Sequence, residues 1–294
     1  MKVHNTTLAL FAFAGSLTHS AYAAQIFAIT TANGLLSFDS ATPGTTTPVL
    51  SISGLLAGER LLGIDFRPAT GQLFGVGSSS QVYVLNTTTA AATPVGGTFS
   101  PVISGTNFGI DFNPTVDRIR LVSDSGQNLR LNPSLGTIAA IDPALAFAAG
   151  DANFGNAPFV VGAAYTNNFN GALTTTLYDI DSRSGILLSQ VPANNGTLNT
   201  IGSLGVTTSG LVGFDISGAD GTAFASLTVG GTPRLYTINL ATGAATNIGV
   251  IGSGAIAISD ISVTPIPEPS SLALGALGLA GLLAWRRKKA ASAA

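Results

Sequence analysis

The sequence predicts an all-β fold: a five-unit β-propeller-like single domain, closed by its N- and C-terminal strands and followed by a short C-terminal apolar helix. Three observations predict it. The first is a set of five short segments, LLSFD, VYVLN, NLRLN, LYDID and RLYTIN, which close on Asp39, Asn86, Asn132, Asp181 and Asn239 at intervals of 47, 46, 49 and 58 residues. That period suits propeller blades better than helical solenoids. Each segment alternates apolar and polar residues with period 2, as a half-buried strand does, and its closing Asp or Asn starts a turn. The second observation is an element upstream of these strands: LGIDF at Asp65, FGIDF at Asp111, VGFDI at Asp215 and a weaker copy, ISDIS, at Asp260. In the fourth unit VVGAAY matches it, with Ala164 in place of the acid. The third is that the two ends complete each other. The Asp39 segment has no GxDF strand before it, and the Asp260 copy has no closing strand after it. IFAIT, LLSFD and TTPVL therefore supply three strands of a blade whose fourth, AIAISDISV, arrives from the C-terminus, which removes the open sheet edge.

Taken in order, residues 1–23 combine a basic start (Lys2, His4), an apolar run from Leu8 to Leu17 and the Ala-x-Ala triplet Ala21-Tyr22-Ala23. These are the three parts of a secretory signal peptide, with cleavage expected after Ala23. Strands begin at once from Gln25, and Asn33-Gly34 supplies a two-residue hairpin signal. The second unit is the clearest, with LLGIDF, QLFGV, QVYVLN and AATPVG as four strands. The third holds most of the charge, and its connection from Asp142 to Pro158 is the longest irregular stretch, where a short helical turn is expected. In the fourth unit, TNNFNGALTTTLYDID is read as a compressed second strand running into the closing one. The domain is expected to end at residue 264. From residue 265 to 294 the texture changes to a Pro-rich spacer, sixteen mostly apolar residues from Ser270 to Trp285, and Arg286, Arg287, Lys288 and Lys289. An apolar helix followed by a basic cluster reads as stop-transfer, with the body outside the cytoplasm and a transient membrane anchor at its C-terminus.

Composition narrows the possible functions. Only 9% of the 294 residues are charged, and 36 Gly and 14 Pro punctuate the chain. Between Ala24 and Ile266 stand seven Arg, no Lys and thirteen Asp or Glu, an acidic body that disfavours nucleic acid as a partner. Cysteine is absent, and both histidines, His4 and His19, precede Ala23. Thiolate chemistry, Ser-His-Asp and Cys-His catalysis and ordinary zinc sites are therefore excluded from the body.

Two stretches resemble known families. The tail PIPEPSSLALGALGLAGLLAWRRKK, with Pro267, Glu268 and Pro269, an apolar run and an Arg-rich end, resembles the PEP-CTERM sorting signal of Gram-negative bacteria. That resemblance implies handling by an exosortase, removal of the tail and delivery to the cell surface or the exopolysaccharide matrix. The body carries GIDFRPATGQLFGV at 63–76, GIDFNPTVDRIRLVSDSGQNLR at 109–130 and AYTNN at 164–168, and resembles the bacterial domain-of-unknown-function family 4394. The resemblance implies a class of domain and names no reaction.

The remaining chemistry lies in carboxylates and arginines. Asp65, Asp111 and Asp215 would form a ring of acids at one end of the axis, as a hydrolase of carbohydrates needs two carboxylates; their repetition favours turn-capping. Asp111, Asn113 and Asp117 are oxygen donors at alternating spacing, the pattern of a calcium-stabilised scaffold, without the EF-hand glycine or closing Glu. Arg118, Arg120 and Arg130 offer a cationic face for acidic sugars, with cross-strand pairing to Asp117 and Asp124 as the plainer alternative. The expectation is a non-catalytic, cofactor-free binding or structural propeller, with Asp111, Asn113, Asp117, Arg118 and Arg120 as candidate binding residues and extracellular polysaccharide as the candidate ligand.

Overall fold

In a computed structural model, residues 23–265 are described, and they form twenty-one strands and one short 3-10 turn. The C-terminal helix, Pro267, Glu268, Pro269 and the basic cluster from Arg286 to Lys289 lie outside the described residues. Four sheets run in simple succession. The second blade is β4 (Leu61–Phe66), β5 (Leu73–Gly77), β6 (Gln81–Leu85) and β7 (Ala92–Val95). The third is β8 (Phe108–Asn113), β9 (Arg118–Ser123), β10 (Asn128–Asn132) and β11 (Thr137–Ile141). The fourth is β13 (Val160–Tyr165), β14 (Leu177–Asp181), β15 (Ile186–Gln190) and β16 (Thr197–Ser203), widened by β12 (Ala146–Phe147), which pairs parallel to β16. The fifth is β17 (Val212–Ile216), β18 (Ala223–Val229), β19 (Thr232–Ile238) and β20 (Ala245–Val250).

The first blade is the composite one. Its β1 (Gln25–Thr30), β2 (Gly34–Asp39) and β3 (Leu50–Ser51) receive β21 (Ile258–Val263) as innermost strand, in the order β21-β1-β2-β3. Ile26 pairs with Val263 and Phe27 with Ser262, so first and last strands of the body share one sheet. The five inner strands, β21, β4, β8, β13 and β17, each touch the next around the axis. Five apolar layers fill the gaps between blades. One holds Ile29, Ile64 and Tyr83, another Ile110, Phe112 and Leu121, and that between the fifth and first blades joins Phe224 and Leu235 to Ile26 and Ile261. At about 1.5–3 kcal/mol for each large apolar side chain removed from water, these layers hold the ring together.

Gly109 allows two inner strands to approach closely: a Cβ there would lie 2.5 Å from the Ala163 nitrogen and 2.6 Å from the Gly162 carbonyl carbon. The G of the GIDF element is thus a joint between blades, not a turn residue.

Three readings of the sequence change. LYDID is the second strand of its blade, paired with β13 on one side and β15 on the other, so β15 is the third. Alternation identifies a strand but not its rank, and the insert 166–176 before Leu177 is a loop. The long connection after Asp142 contains β12 and turns rather than a helical turn; the single 3-10 turn among the described residues is Ala193–Asn195. Finally, Ser262, not Asp260, takes the position of Asp65. Ser262 pairs with Phe27 as Asp65 pairs with Phe74, while Asp260, opposite Ile29, occupies the place of Gly63, opposite Val76.

The closing Asp and Asn residues do start turns. Asn86 Oδ1 accepts the Thr88 and Thr89 N–H groups, both at 2.9 Å, and Asn239 Oδ1 accepts those of Ala241 and Thr242. Asn86→Ala is expected to lower stability by about 1 kcal/mol, two exposed bonds passing to water, as read from the urea midpoint.

Candidate functional site

The GxDF strands carry their carboxylates into the axis, where Asp65, Asp111 and Asp215 are 1% exposed and offer oxygens within 4.8 Å of one another. Each stitches one blade to the next. Asp65 Oδ2 accepts the Phe112 N–H of the following blade at 2.7 Å, Asp111 Oδ2 accepts the Tyr165 N–H at 2.6 Å, and Asp215 Oδ2 accepts the Val263 N–H at 2.6 Å. Asp260 Oδ2 accepts the Ile64 N–H at 2.8 Å. Ser262 Oγ donates to Asp65 Oδ1 at 2.8 Å and also lies 3.2 Å from Asp215 Oδ2. Part of the bonding expected of these acids therefore runs between blades, and part stays local: Asp65 Oδ1 also accepts the Phe66 N–H at 2.7 Å and Asp215 Oδ1 the Ile216 N–H at 2.6 Å.

Among the described residues no cation pairs with these acids, and burial favours their protonated forms. Burial pushes Asp65 up to about 6, with the Asp111 carboxyl beside it and the Phe112 N–H pulling the other way. Burial, then the charges of Asp65 and Asp215, raise Asp111 well above the ordinary carboxylate range. Burial and Asp65 do the same to Asp215, and burial raises Asp260. Asp111 Oδ1 has no hydrogen-bond partner. Asp65, Asp111 and Asp215 face one another across the axis, each 1% exposed.

The fourth blade breaks the symmetry. Ala164 contributes no carboxylate, and the loop after β13 instead directs Asn168 inward, its Nδ2 at 3.5 Å from Asp215 Oδ1 and its Oδ1 without a partner. The loop is seated on Gly218, where a Cβ would meet the Asn168 carbonyl oxygen at 2.0 Å. Phe66, Pro68, Asn168, Phe169, Gly218 and Pro265 line a cavity of about 590 Å³ at that end of the axis.

The predicted arginine face is divided. Arg120 is buried, 1% exposed, and donates to Asp142 at 2.6 Å, Asn128 at 2.7 Å, Asn194 at 2.7 Å and the Tyr165 hydroxyl at 3.2 Å. Arg130 forks onto the same Asp142, at 2.9 and 2.8 Å. The expected pairing with Asp117 and Asp124 is not what forms: Asp117 pairs with Arg67 of the second blade, and Asp124 accepts the Thr106 and Asn107 N–H groups. Arg118 donates only to backbone carbonyls, and among the described residues no carboxylate pairs with it. Arg118, Arg130, Asn113, Thr115, Thr174 and Asn194 line a second cavity of about 650 Å³ between the third and fourth blades.

The alternating calcium trio is not gathered at one point: Asp117 is engaged by Arg67, Asn113 Oδ1 accepts from Thr115 at 3.0 and 2.7 Å, and Asp111, in the axis, is the member that keeps an oxygen without a partner. Of the candidate binding residues, Asn113 and Arg118 share the second cavity, Asp111 lies in the axis, Arg120 is buried beneath and Asp117 belongs to a blade joint. Sequence reasoning missed Asp142, Asn168, Asn194 and Ser262. Ser262 alone had a partial signal: Gln25-Ile26-Phe27 repeats Gln72-Leu73-Phe74 and aligns the neighbouring strand β1, while the register of β21 on it comes from the pairing itself.

Similar folds among solved structures are distant. A structural-genomics protein of unknown function from Bacteroides thetaiotaomicron is 14% identical with a TM-score of 0.48, over 84% of this chain and 68% of that one. A chain of a nidogen/laminin complex is 10% identical with a TM-score of 0.46, over 82% and 98%. Kuenenia stuttgartiensis hydrazine synthase is 16% identical with a TM-score of 0.39, over 68% of this chain and 53%, about half, of that one. None of the curated proteins matches. Residues 265–288 match the PEP-CTERM protein-sorting motif, the mark of an exosortase-sorted extracellular protein. Residues 34–262 match the family model of DUF4394, a domain of unknown function, and the chain belongs to that family.

Proposed function

We propose that the protein is a non-catalytic, surface- or matrix-directed propeller that holds an acidic extracellular polysaccharide in the cleft between its third and fourth blades. The observation that carries this reading is Arg118, a guanidinium without a carboxylate partner among the described residues, at a cavity shared with Arg130 and the polar side chains of Asn113, Thr115, Thr174 and Asn194. A planar guanidinium suits a uronate or sulfate, since it can donate two parallel bonds to one anionic group. Asp142 holds Arg120 and Arg130 from within, so the cleft floor is rigid.

A non-catalytic role is supported by the axis acids, each of which commits one oxygen to an N–H of another blade. Export and sorting are supported by the motif at 265–288. The processing partner is an exosortase, and the transient anchor is the apolar run that follows Pro269. Cleavage after Ala23 would leave every strand in place, because β1 begins at Gln25.

The test is binding of the purified protein to arrays of neutral, uronate-bearing and sulfated glycans. Binding confined to acidic glycans, lost at least tenfold in Arg118→Glu with an unchanged melting temperature, is the expected result. Equal binding by Arg118→Glu, or no preference for acidic over neutral glycans, would overturn it.

A further inference from the structure

The inner strands carry four buried carboxylates, Asp65, Asp111, Asp215 and Asp260, the first three with oxygens within 4.8 Å of one another, and among the described residues no arginine pairs with any of them; the ion pairs join Arg67 to Asp117 and both Arg120 and Arg130 to Asp142. Ionised carboxylates taken out of water need a counter-charge. Two oxygens on these side chains and their neighbour lack partners. One is Asp111 Oδ1; the other is Asn168 Oδ1, on a side chain 6% exposed whose amide lies against Asp215. A neutral amide oxygen left unpaired on a buried side chain that touches one of these acids is costly unless something electropositive meets it.

We propose that the propeller axis binds one calcium ion through Asp65, Asp111, Asp215 and the side-chain oxygen of Asn168. All the donors are hard oxygens, and the body has neither His nor Cys to favour a transition metal. The carboxylate oxygens lie within 4.8 Å of one another, a spread that Ca–O bonds of about 2.3–2.6 Å can span and Mg–O bonds of about 2.0–2.1 Å span poorly. Oxygens that already accept an N–H remain usable, because an ionised carboxylate offers about four lone-pair sites. The ion would bind three blades directly and the fourth through its loop. Ala164 becomes intelligible in the same terms: of the two units without an acid at this position, the first offers the Ser262 hydroxyl to Asp65 and the fourth has the loop that supplies the amide. The site is distinct from the Arg118 cleft and does not depend on its role.

The test compares the purified full chain after chelation and dialysis with the same protein given calcium or magnesium. Melting temperature, calorimetric titration and metal content of untreated protein are the readouts. One calcium per chain and a melting temperature that rises with calcium concentration are expected, with a much smaller rise for magnesium. Asp111→Asn keeps an oxygen for the Tyr165 N–H and removes a charge, and Asn168→Ala removes the amide. Each is expected to weaken calcium binding at least tenfold, while Arg118→Glu leaves it unchanged. No melting shift with calcium, an equal shift with magnesium, or wild-type affinity in Asn168→Ala would overturn the assignment.

Discussion

Gly109→Val is expected to cost more than about 4 kcal/mol, leaving little or no folded protein at 25 °C. The new Cβ alone would come within 2.5 Å of the Ala163 nitrogen, and the atoms it meets are backbone of the neighbouring inner strand, which no rotamer change can move aside. To make room, β8 and β13 would have to separate, which also breaks the 2.6 Å bond from the Tyr165 N–H to Asp111. The same surroundings make Gly213→Val similarly severe, since its Cβ would meet the Ile261 nitrogen at 2.4 Å. Gly97→Ala is the control: nothing lies within 4 Å of its Cβ, and stability should stay within about 0.5 kcal/mol of wild type. Urea denaturation and circular dichroism measure all three. A Gly109→Val protein with a wild-type midpoint would show that the inner strands do not meet as described.

A different large effect is expected at Asp179, through pH. This residue on β14 is fully buried, and neither carboxyl oxygen has a hydrogen-bond partner. Burial pushes it from 3.8 up to about 8, only partly opposed by the charge of Arg120. In the unfolded chain the group ionises near 3.8; in the folded one it keeps its proton until about 8. Its contribution to stability is therefore complete below 3.8, declines as pH rises through that interval and is lost above 8. The slope is about 1.4 kcal/mol per pH unit, and the total is on the order of 5 kcal/mol. Asp179→Asn removes the proton equilibrium at nearly constant volume, so the variant should be much the more stable protein at pH 9 and similar to wild type at pH 4. Unfolding free energies at pH 4, 6 and 9 decide it, and parallel curves for the two proteins would refute the prediction. The raised axis acids add slope of the same sign to both proteins, so the difference between the curves isolates one proton.

Much of the fold was legible because strand alternation and Asx turns are local properties. VYVLN and NLRLN give their own faces and ends, and the copies of GIDF give the count of blades. What was illegible depended on pairing. LYDID looks like a third strand because it ends in Asp, yet Asp181 caps its turn from a second strand, donating nothing to rank. ISDIS offers one acid, and sequence alone assigns that acid to the GIDF position; the hydrogen-bonded register to β1 moves it by two residues. The cleft was half visible. Arg118 and Asn113 lie close together in the chain, but Asp142 and Asn194 reach Arg120 from 22 and 74 residues away. Asn168 carried no signal, since an inward-turned amide in a loop of Asn and Thr reads like any other.

The first blade's dependence on β21 has a consequence for biosynthesis. A ribosome must translate through Val263 before the initial sheet can receive its central member, so a nascent chain arrested anywhere earlier exposes Ile26, Ala28 and their neighbours. Closure of the ring is thereby postponed until the last strand of the body exists, and the sorting motif begins two residues later, at residue 265.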